Sequence, residues 1–424
     1  MAHAHHLDRR RPQLSENDES SASESFDSTS SEDYQTSAMD YSLDAHQDSD
    51  ESMLGRWPRR LLHVDRERDI FTSYKWEPGN IYGGIKEPKY NVISYTWGRY
   101  KLPDGTRPDV HALNIGGVTW AIPRIDPENH FSVADFRAAI KTVCSTRELP
   151  DREDVQFVWL DVACIDQENY EVKMLEVGRQ GVIFQHAESA FVWLASSHLE
   201  NFQVVMGELW DAFQMAPVSD LPVDTEHVRL MEKWLQNWLE KSSRNVRYIL
   251  EKEPWFTSLW TLQEAYLRPF AVMLARDGRA IPRQKKGWSP GVENLRSLAI
   301  ATAGVAGACE RSIALGCNGN DRARLLINRI QQTGLRDVVQ GNPFLLYKAA
   351  SFRQVYDELD RVYGIMQVFG FKLGASKPRG TSENPNGHRF SFHRKRLKLS
   401  DLELELSQSI LKTYPVQSHL SIFT

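Results

Sequence analysis

Glu264 stands near the end of the stretch EPWFTSLWTLQEA (253–265), a carboxylate set against Trp255, Phe256 and Trp260. Such a group has two ordinary uses. One is a helix ion pair: Arg268 lies four residues on with the acid first, the favourable order, worth about 0.2 to 0.5 kcal/mol. The other is chemistry, in which a fixed negative charge stabilises a developing positive one. Two more stretches place polar groups where apolar runs stop. KYNVISYTWG (89–98) ends in Ser94, Tyr95, Trp97 and Gly98, and VQFVWLDVACIDQ (155–167) carries Asp161, Cys164 and Asp166. Asp161 and Asp166 have the alternative use of capping the helix that follows, and the three aromatic residues that of anchoring a core. Cys164 has no matched His nearby, so a small buried thiol is expected rather than a nucleophile. Cys144, Cys164, Cys309 and Cys317 form no CxxC pair, and no HExxH spacing occurs, so no metal site is expected.

The elements that would position these groups follow from periodicity. Tyr90 to Tyr95 is a short β-type run stopping at Gly98, and the apolar run in 155–167 suits a central strand buried on both faces. SAFVWLA (189–195) is a third such strand. ALNIGGVTWAIP (112–123) has two β-type runs around Gly116 and Gly117, a hairpin signal, and RPFAVMLARDGRAIP (268–282) reads as a hairpin turning at Asp277-Gly278. SVADFRAAIKTVCS (132–145), with a Ser cap and an acid three residues on, predicts a helix, as does the pattern over 171–187. Alternation of strand and helix predicts an α/β layered domain with a parallel sheet, its site at the strand carboxyl ends. After residue 195 helices dominate, through 227–250, 291–369 and a final helix over 399–412. The segment 374–398 is Gly, Pro and Lys/Arg rich and reads as a loop.

The chain has 424 residues, 51 Lys and Arg against 56 Asp and Glu, and a net charge of -5. That balance argues against nucleic-acid binding as its main business. No apolar run is long enough to span a bilayer, and the amino terminus MAHAHHLDRRRPQ offers no signal peptide, so a cytoplasmic protein is expected. Residues 1–52, rich in Ser, Asp and Glu, read as a disordered acidic tail. The domain boundaries expected are 53–370 for one α/β domain (core about 89–282, helical elaboration 283–370) and 371–424 for a basic loop and terminal helix.

SYTWG, WLDVACIDQ, PWFTSLWTLQEA and DELDRVYGIMQVFG together resemble the fungal heterokaryon incompatibility (HET) domain family. That family shows an SYxWG strand end, a W-I/L-D-x-x-C-I-N/D-Q strand, a helix ending I-Y/F-x-x-A before a VWL strand, a P-W-F-x-R-x-W-x-x-Q-E helix and a later D-R/K-x-Y segment. Here Ser94, Tyr95, Trp97 and Gly98 match the first; Trp159, Asp161, Cys164, Ile165, Asp166 and Gln167 the second; Ile183, Phe184, Ala187, Val192, Trp193 and Leu194 the third. Pro254, Trp255, Phe256, Trp260, Gln263 and Glu264 match the fourth, and Asp360, Arg361 and Tyr363 the last. The resemblance covers roughly residues 57 to 370. It departs where Ser258 or its neighbours replace the usual Arg, and where Glu171, Lys173, Glu176 and Arg179 stand for a Glu-Arg pair.

The resemblance implies a Rossmann-like or TIR-like layered parallel sheet with large helical insertions and a carboxyl-terminal helical region. It implies a part in fungal non-self recognition and programmed cell death, through self-association or contact with other incompatibility proteins. HET domains are also distantly similar to TIR domains, many of which cleave NAD at the nicotinamide bond with a helical Glu. On that parallel Glu264 is the catalytic carboxylate, stabilising an oxocarbenium-like transition state. Ser94, Tyr95, Trp97, Gly98, Asp161 and Trp260 would bind the dinucleotide. NAD would be a substrate, with no bound cofactor implied.

Overall fold

Runs of β-branched and aromatic residues that are buried on both faces need neighbours above and below, and the chain supplies them in one mixed sheet. The computed structural model describes residues 53–145, 153–214, 225–283, 291–314, 319–377 and 397–415. The tail over 1–52, Cys317 and most of the basic segment 374–398 lie outside the described residues. Eight strands, β1 (Arg60–Asp65), β2 (Ile70–Glu77), β3 (Ile81–Tyr82), β4 (Ile85–Lys86), β5 (Tyr90–Ser94), β6 (Phe157–Trp159), β7 (Ala190–Trp193) and β8 (Val272–Leu274), are ordered β4-β3-β2-β1-β6-β5-β7-β8.

The expected parallel sheet is found in β6, β5, β7 and β8. Every residue of β5, β6, β7 and β8 is buried. The expectation needs correcting for residues 60–86, where no strand is foreseen and four antiparallel strands occur. β1 pairs antiparallel with both β2 and β6. The physical reason lies in exposure: β2 alternates buried and open positions, as a half-solvated antiparallel strand does.

The hairpin over 112–123 is likewise absent. Gly116 instead pairs across to β2, donating its amide to the Phe71 carbonyl and accepting from the Ser73 amide. Gly117 sits at φ 78°, and a Cβ there would strike the Ser73 carbonyl oxygen, so this glycine pair serves close approach rather than a turn. The Asp277-Gly278 turn is present: Gly278 has φ 80°, and the return arm meets β8 through a Leu274–Ala280 bridge.

Helix α1 (Val133–Val143) begins at the foreseen Ser132 and Asp135 capping box, and α2 (Asp161–Cys164) follows β6 directly. The helical stretch over 171–187 splits into α3 (Tyr170–Val177) and α4 (Gln180–His186). After β7 come α5 (Leu199–Gln214) and α6 (Thr225–Lys252). The stretch EPWFTSLWTLQEA is not one helix. A 3-10 turn at Pro254–Thr257 stops at Ser258, whose extended backbone (ψ 140°) precedes α7 (Leu259–Leu267).

That break exposes carbonyls that need donors. Thr261 supplies its hydroxyl to the carbonyls of Trp255 and Ser258, and buried Arg353 donates to the same two and to Thr333. Beyond β8, α8 (Leu295–Ala314), α9 (Asn320–Gln332), α10 (Leu335–Gln340), α11 (Pro343–Ala350), α12 (Asp360–Tyr363) and α13 (Leu399–Thr413) form the helical part. α8 buries Leu295, Leu298 and Val305, and α9 buries Leu326 and Ile330, at the spacing of a helix that hides one face.

Candidate functional site

Ser94 is the last residue of β5, and the register of the parallel strands sets the carboxyl end of β6 beside it. At that edge the Ser94 hydroxyl donates to Oε2 of Glu264 on α7. The indole of Trp255 donates to Ser94 Oγ at 2.8 Å. Gln180, at the start of α4, donates from Nε2 to Glu264 Oε1 at 2.9 Å. Behind it, Gln263 Nε2 donates to Gln180 Oε1 at 3.0 Å, and the Gln367 amide donates to Gln263 Oε1 at 2.9 Å. Every donor in this chain points toward the carboxyl group, an arrangement in which each bond polarises the next.

Burial opposes those donors and prevails. Enclosure of the Glu264 carboxyl pushes its pKa up to about 8; the Ser94 hydroxyl pulls down, the like charge of Asp161 pushes further up, and Gln180 pulls down. The residue as a whole is half-buried. At neutral pH it holds its proton. A cationic group brought against it would favour the ionised form.

Asp161, the first residue of α2, forms the second half of the site. Its Oδ1 accepts from the Tyr95 hydroxyl and from the Val162 amide, each at 2.7 Å, and its Oδ2 from the Trp97 indole at 2.6 Å. Burial raises its pKa, against the pull of those donors. The expected cap role of this aspartate is not met: Leu160 holds the N-cap position of α2, and no side chain caps that helix. The Tyr95 ring packs into the aromatic cluster of Phe131, Phe136 and Trp193, with centroids 5.0 to 6.2 Å away.

Ser94, Tyr95, Trp97, Asp161 and Glu264 are therefore brought together, in two linked groups. Trp260 is turned elsewhere, its indole serving the Asp360 carboxyl. Gly98 is exposed, and a Cβ there would meet nothing. The helix ion pair is replaced by another arrangement: Arg268 gives its guanidinium to the carbonyls of Phe184, Gln185 and Ala187. Cys164, the last residue of α2, is buried, and burial pushes its thiol up to about 12, which leaves it unreactive near neutrality. Arg361 and Tyr363 tie the helical part together: Arg361 donates to the Ala350 and Arg353 carbonyls, and the Tyr363 hydroxyl accepts from Ala375.

Gln180, Gln263 and Gln367 are missing from the sequence-derived site. An amide inside an otherwise apolar run, as in RQGVIF, is the signal that marks a buried group in need of a partner. Among the described residues no group of His, Cys, Asp and Glu could hold a metal ion, and no helix is long and apolar enough to cross a membrane.

Comparison with known proteins adds two findings. The family described as heterokaryon incompatibility protein (HET) matches over residues 90–264, from the first residue of β5 to Glu264. Heterokaryon incompatibility protein 6, OR allele, of Neurospora crassa is 24% identical over 199 residues, covering 42% of this chain and 27% of that relative. The chain thus spans about a quarter of the length of that relative. No solved structure matches.

Proposed function

Because residues 90–264 belong to the heterokaryon incompatibility (HET) family, we propose that this chain is an effector of fungal non-self recognition that leads to programmed cell death by associating with itself or with other incompatibility proteins. The observation that supports this reading is the self-contained character of the family motifs. Trp255 serves Ser94, Ser94 serves Glu264, and Tyr95 and Trp97 serve Asp161, so the motif side chains satisfy one another and hold the strand edge in one shape. A surface of fixed shape is what a recognition domain presents to a partner. The protein acts in the cytoplasm in this account, and the boundaries 53–370 and 371–424 divide the effector domain from its tail. Size-exclusion chromatography with light scattering, run across a range of concentrations, tests the association. A chain that stays monomeric alone and in a fungal extract contradicts it.

A second reading has one observation in its favour: Glu264, a half-buried carboxyl with a raised pKa, stands at the carboxyl ends of parallel strands, where ligands of such sheets bind. In that reading the chain cleaves the nicotinamide bond of NAD. Glu264, ionised as the cationic nicotinamide ring approaches, stabilises the oxocarbenium-like transition state, while Ser94 and Asp161 bind ribose hydroxyls. Incubation with NAD and measurement of released nicotinamide separates the two. Release that Glu264→Gln abolishes favours the enzyme; no release from concentrated, folded protein excludes it.

A further inference from the structure

We infer that the chain carries a second ligand site, a cleft beside the antiparallel strands β1 and β2, built to take a small phosphate-bearing molecule with a flat heteroaromatic ring, of the mononucleotide class. The cleft has a volume of about 480 Å³. It lies between the start of β1, the end of β2 and the turns that flank α2. Arg59, Arg60, Lys75, Trp76, Trp120 and Asp166 are among its lining residues, and neither Ser94 nor Glu264 is. Its size falls in the ~300–1,000 Å³ range of small-molecule sites.

Charge is the first argument. Arg59 and Arg179 share one buried carboxylate, Glu176, with Nε to Oε2 separations of 3.7 and 3.8 Å and a further bond from the Arg59 amide at 3.0 Å. Asp166 is engaged by the amides of Glu168 and Asn169. Arg60 and Lys75, paired in register across β1 and β2, have no carboxylate within hydrogen-bond reach among the described contacts. Among the lining residues three cations, Arg59, Arg60 and Lys75, stand against two carboxylates, Asp166 and Glu176, a surplus of one positive charge that favours an anion.

The second argument is independent of charge counting. Arg60 is 6% exposed, and its Nε and Nη1 have no hydrogen-bond partner, while Nη2 donates to the Gly117 carbonyl. A buried guanidinium with donors unspent is costly unless an anion completes it, and its planar fork suits phosphate. Its carbon lies 5.1 Å from the Trp120 ring centroid, and the Trp120 indole is held by the Val162 carbonyl at 2.9 Å. The guanidinium is thereby fixed in place.

The ring follows from the other tryptophan. Trp76 is half-buried, borders the cleft and has its indole N–H held by Asn80 Oδ1 at 3.0 Å. An indole held at the wall of a cleft beside a phosphate-binding pair is a platform on which a flat ring can stack. Arg59, Arg60, Lys75 and Trp76 all precede the family match at residue 90, so the site rests on this chain's own residues and not on the reading of Glu264.

Isothermal titration and tryptophan fluorescence of the full chain test it, with AMP, inorganic phosphate and adenosine as probes. AMP is expected to bind, to quench tryptophan emission and to weaken with added salt. Phosphate and adenosine are each expected to bind at least about ten-fold more weakly than AMP, a loss of about 1.4 kcal/mol. Lys75→Gln, at an exposed position that does not threaten folding, is expected to weaken AMP several-fold, and Arg60→Lys more, because an ammonium cannot replace the planar fork. Glu264→Gln is expected to leave AMP binding unchanged. No heat and no quenching with AMP, or AMP binding indifferent to Lys75→Gln, overturns the site. Phosphate binding as tightly as AMP overturns its assignment to a ring-bearing ligand.

Discussion

Ser94, the last residue of β5, gives its hydroxyl to Glu264, 170 positions further along the chain on α7. This bond joins the central parallel strand to the helix that follows the aromatic motif, and the residues at its two ends lie inside the matched family region. Ser94 also accepts from Trp255, so one hydroxyl links the strand, the 3-10 turn and the helix.

Glu264→Gln should change how stability depends on pH. In the unfolded chain a glutamate ionises near ~4.3, whereas in the folded chain Glu264 holds its proton up to about 8. The folded state therefore binds more protons in that window, and stability falls as pH rises through it. Gln cannot ionise, so the variant's melting temperature should gain on that of the parent from pH 5 to 8 and level off above. A difference that stays flat across this range contradicts the assignment.

Removing the hydroxyl tests the same network from the other end. Ser94→Ala leaves the buried Trp255 indole without its acceptor and deprives Glu264 of a donor. Each lost partner costs roughly 1 to 3 kcal/mol when the group stays buried. Chemical denaturation should show a loss in that range, and the carboxyl of Glu264 should titrate higher still. Unchanged stability would mean that the indole finds another acceptor.

Arg353→Met should destabilise the junction of the 3-10 turn and α7. The guanidinium closes three carbonyls, those of Trp255, Ser258 and Thr333, where the 3-10 turn meets α7. Thr261 still serves the Trp255 and Ser258 carbonyls, so the Thr333 carbonyl is the one that loses its donor, and the loss is expected to be about 1 to 3 kcal/mol. A denaturation midpoint close to that of the parent would show that the break at Ser258 does not depend on Arg353.

Gly117→Ala is expected to destabilise by about 1 to 3 kcal/mol through backbone strain and collision. The residue has φ 78°, and its missing Cβ is what lets the loop lie on β2 at Ser73. Gly98→Ala, where a Cβ meets nothing, should be nearly neutral and serves as the control. Thermal melting of both variants makes the comparison; equal losses would contradict the close-approach account.

These cases also show what the sequence makes legible. Tyr90–Ser94 and Ala190–Trp193 stand out because strands buried on both faces are continuously apolar. Ser132 and Asp135 stand out because capping is local. The antiparallel strands over 60–86 do not, since RLLHVD and IFTSYKWE mix charged, polar and aromatic residues and their partners are decided by tertiary contact. The single helix foreseen over the aromatic motif fails at Ser258 because its carbonyls are satisfied by Arg353, nearly a hundred residues away. Within the site, Glu264, Ser94 and Asp161 are found through motifs, while Gln180 and Gln367 are recruited by three-dimensional proximity alone. Trp260 shows the converse: a motif residue whose indole the fold directs to Asp360.

The most direct test of the effector account is viability after conditional expression of the full chain in a fungal host, with accumulation of folded protein followed in parallel. The account predicts loss of viability, and predicts that Glu264→Gln, which keeps the shape of the strand edge, causes the same loss. Normal growth in cells that accumulate the folded parent chain would contradict it.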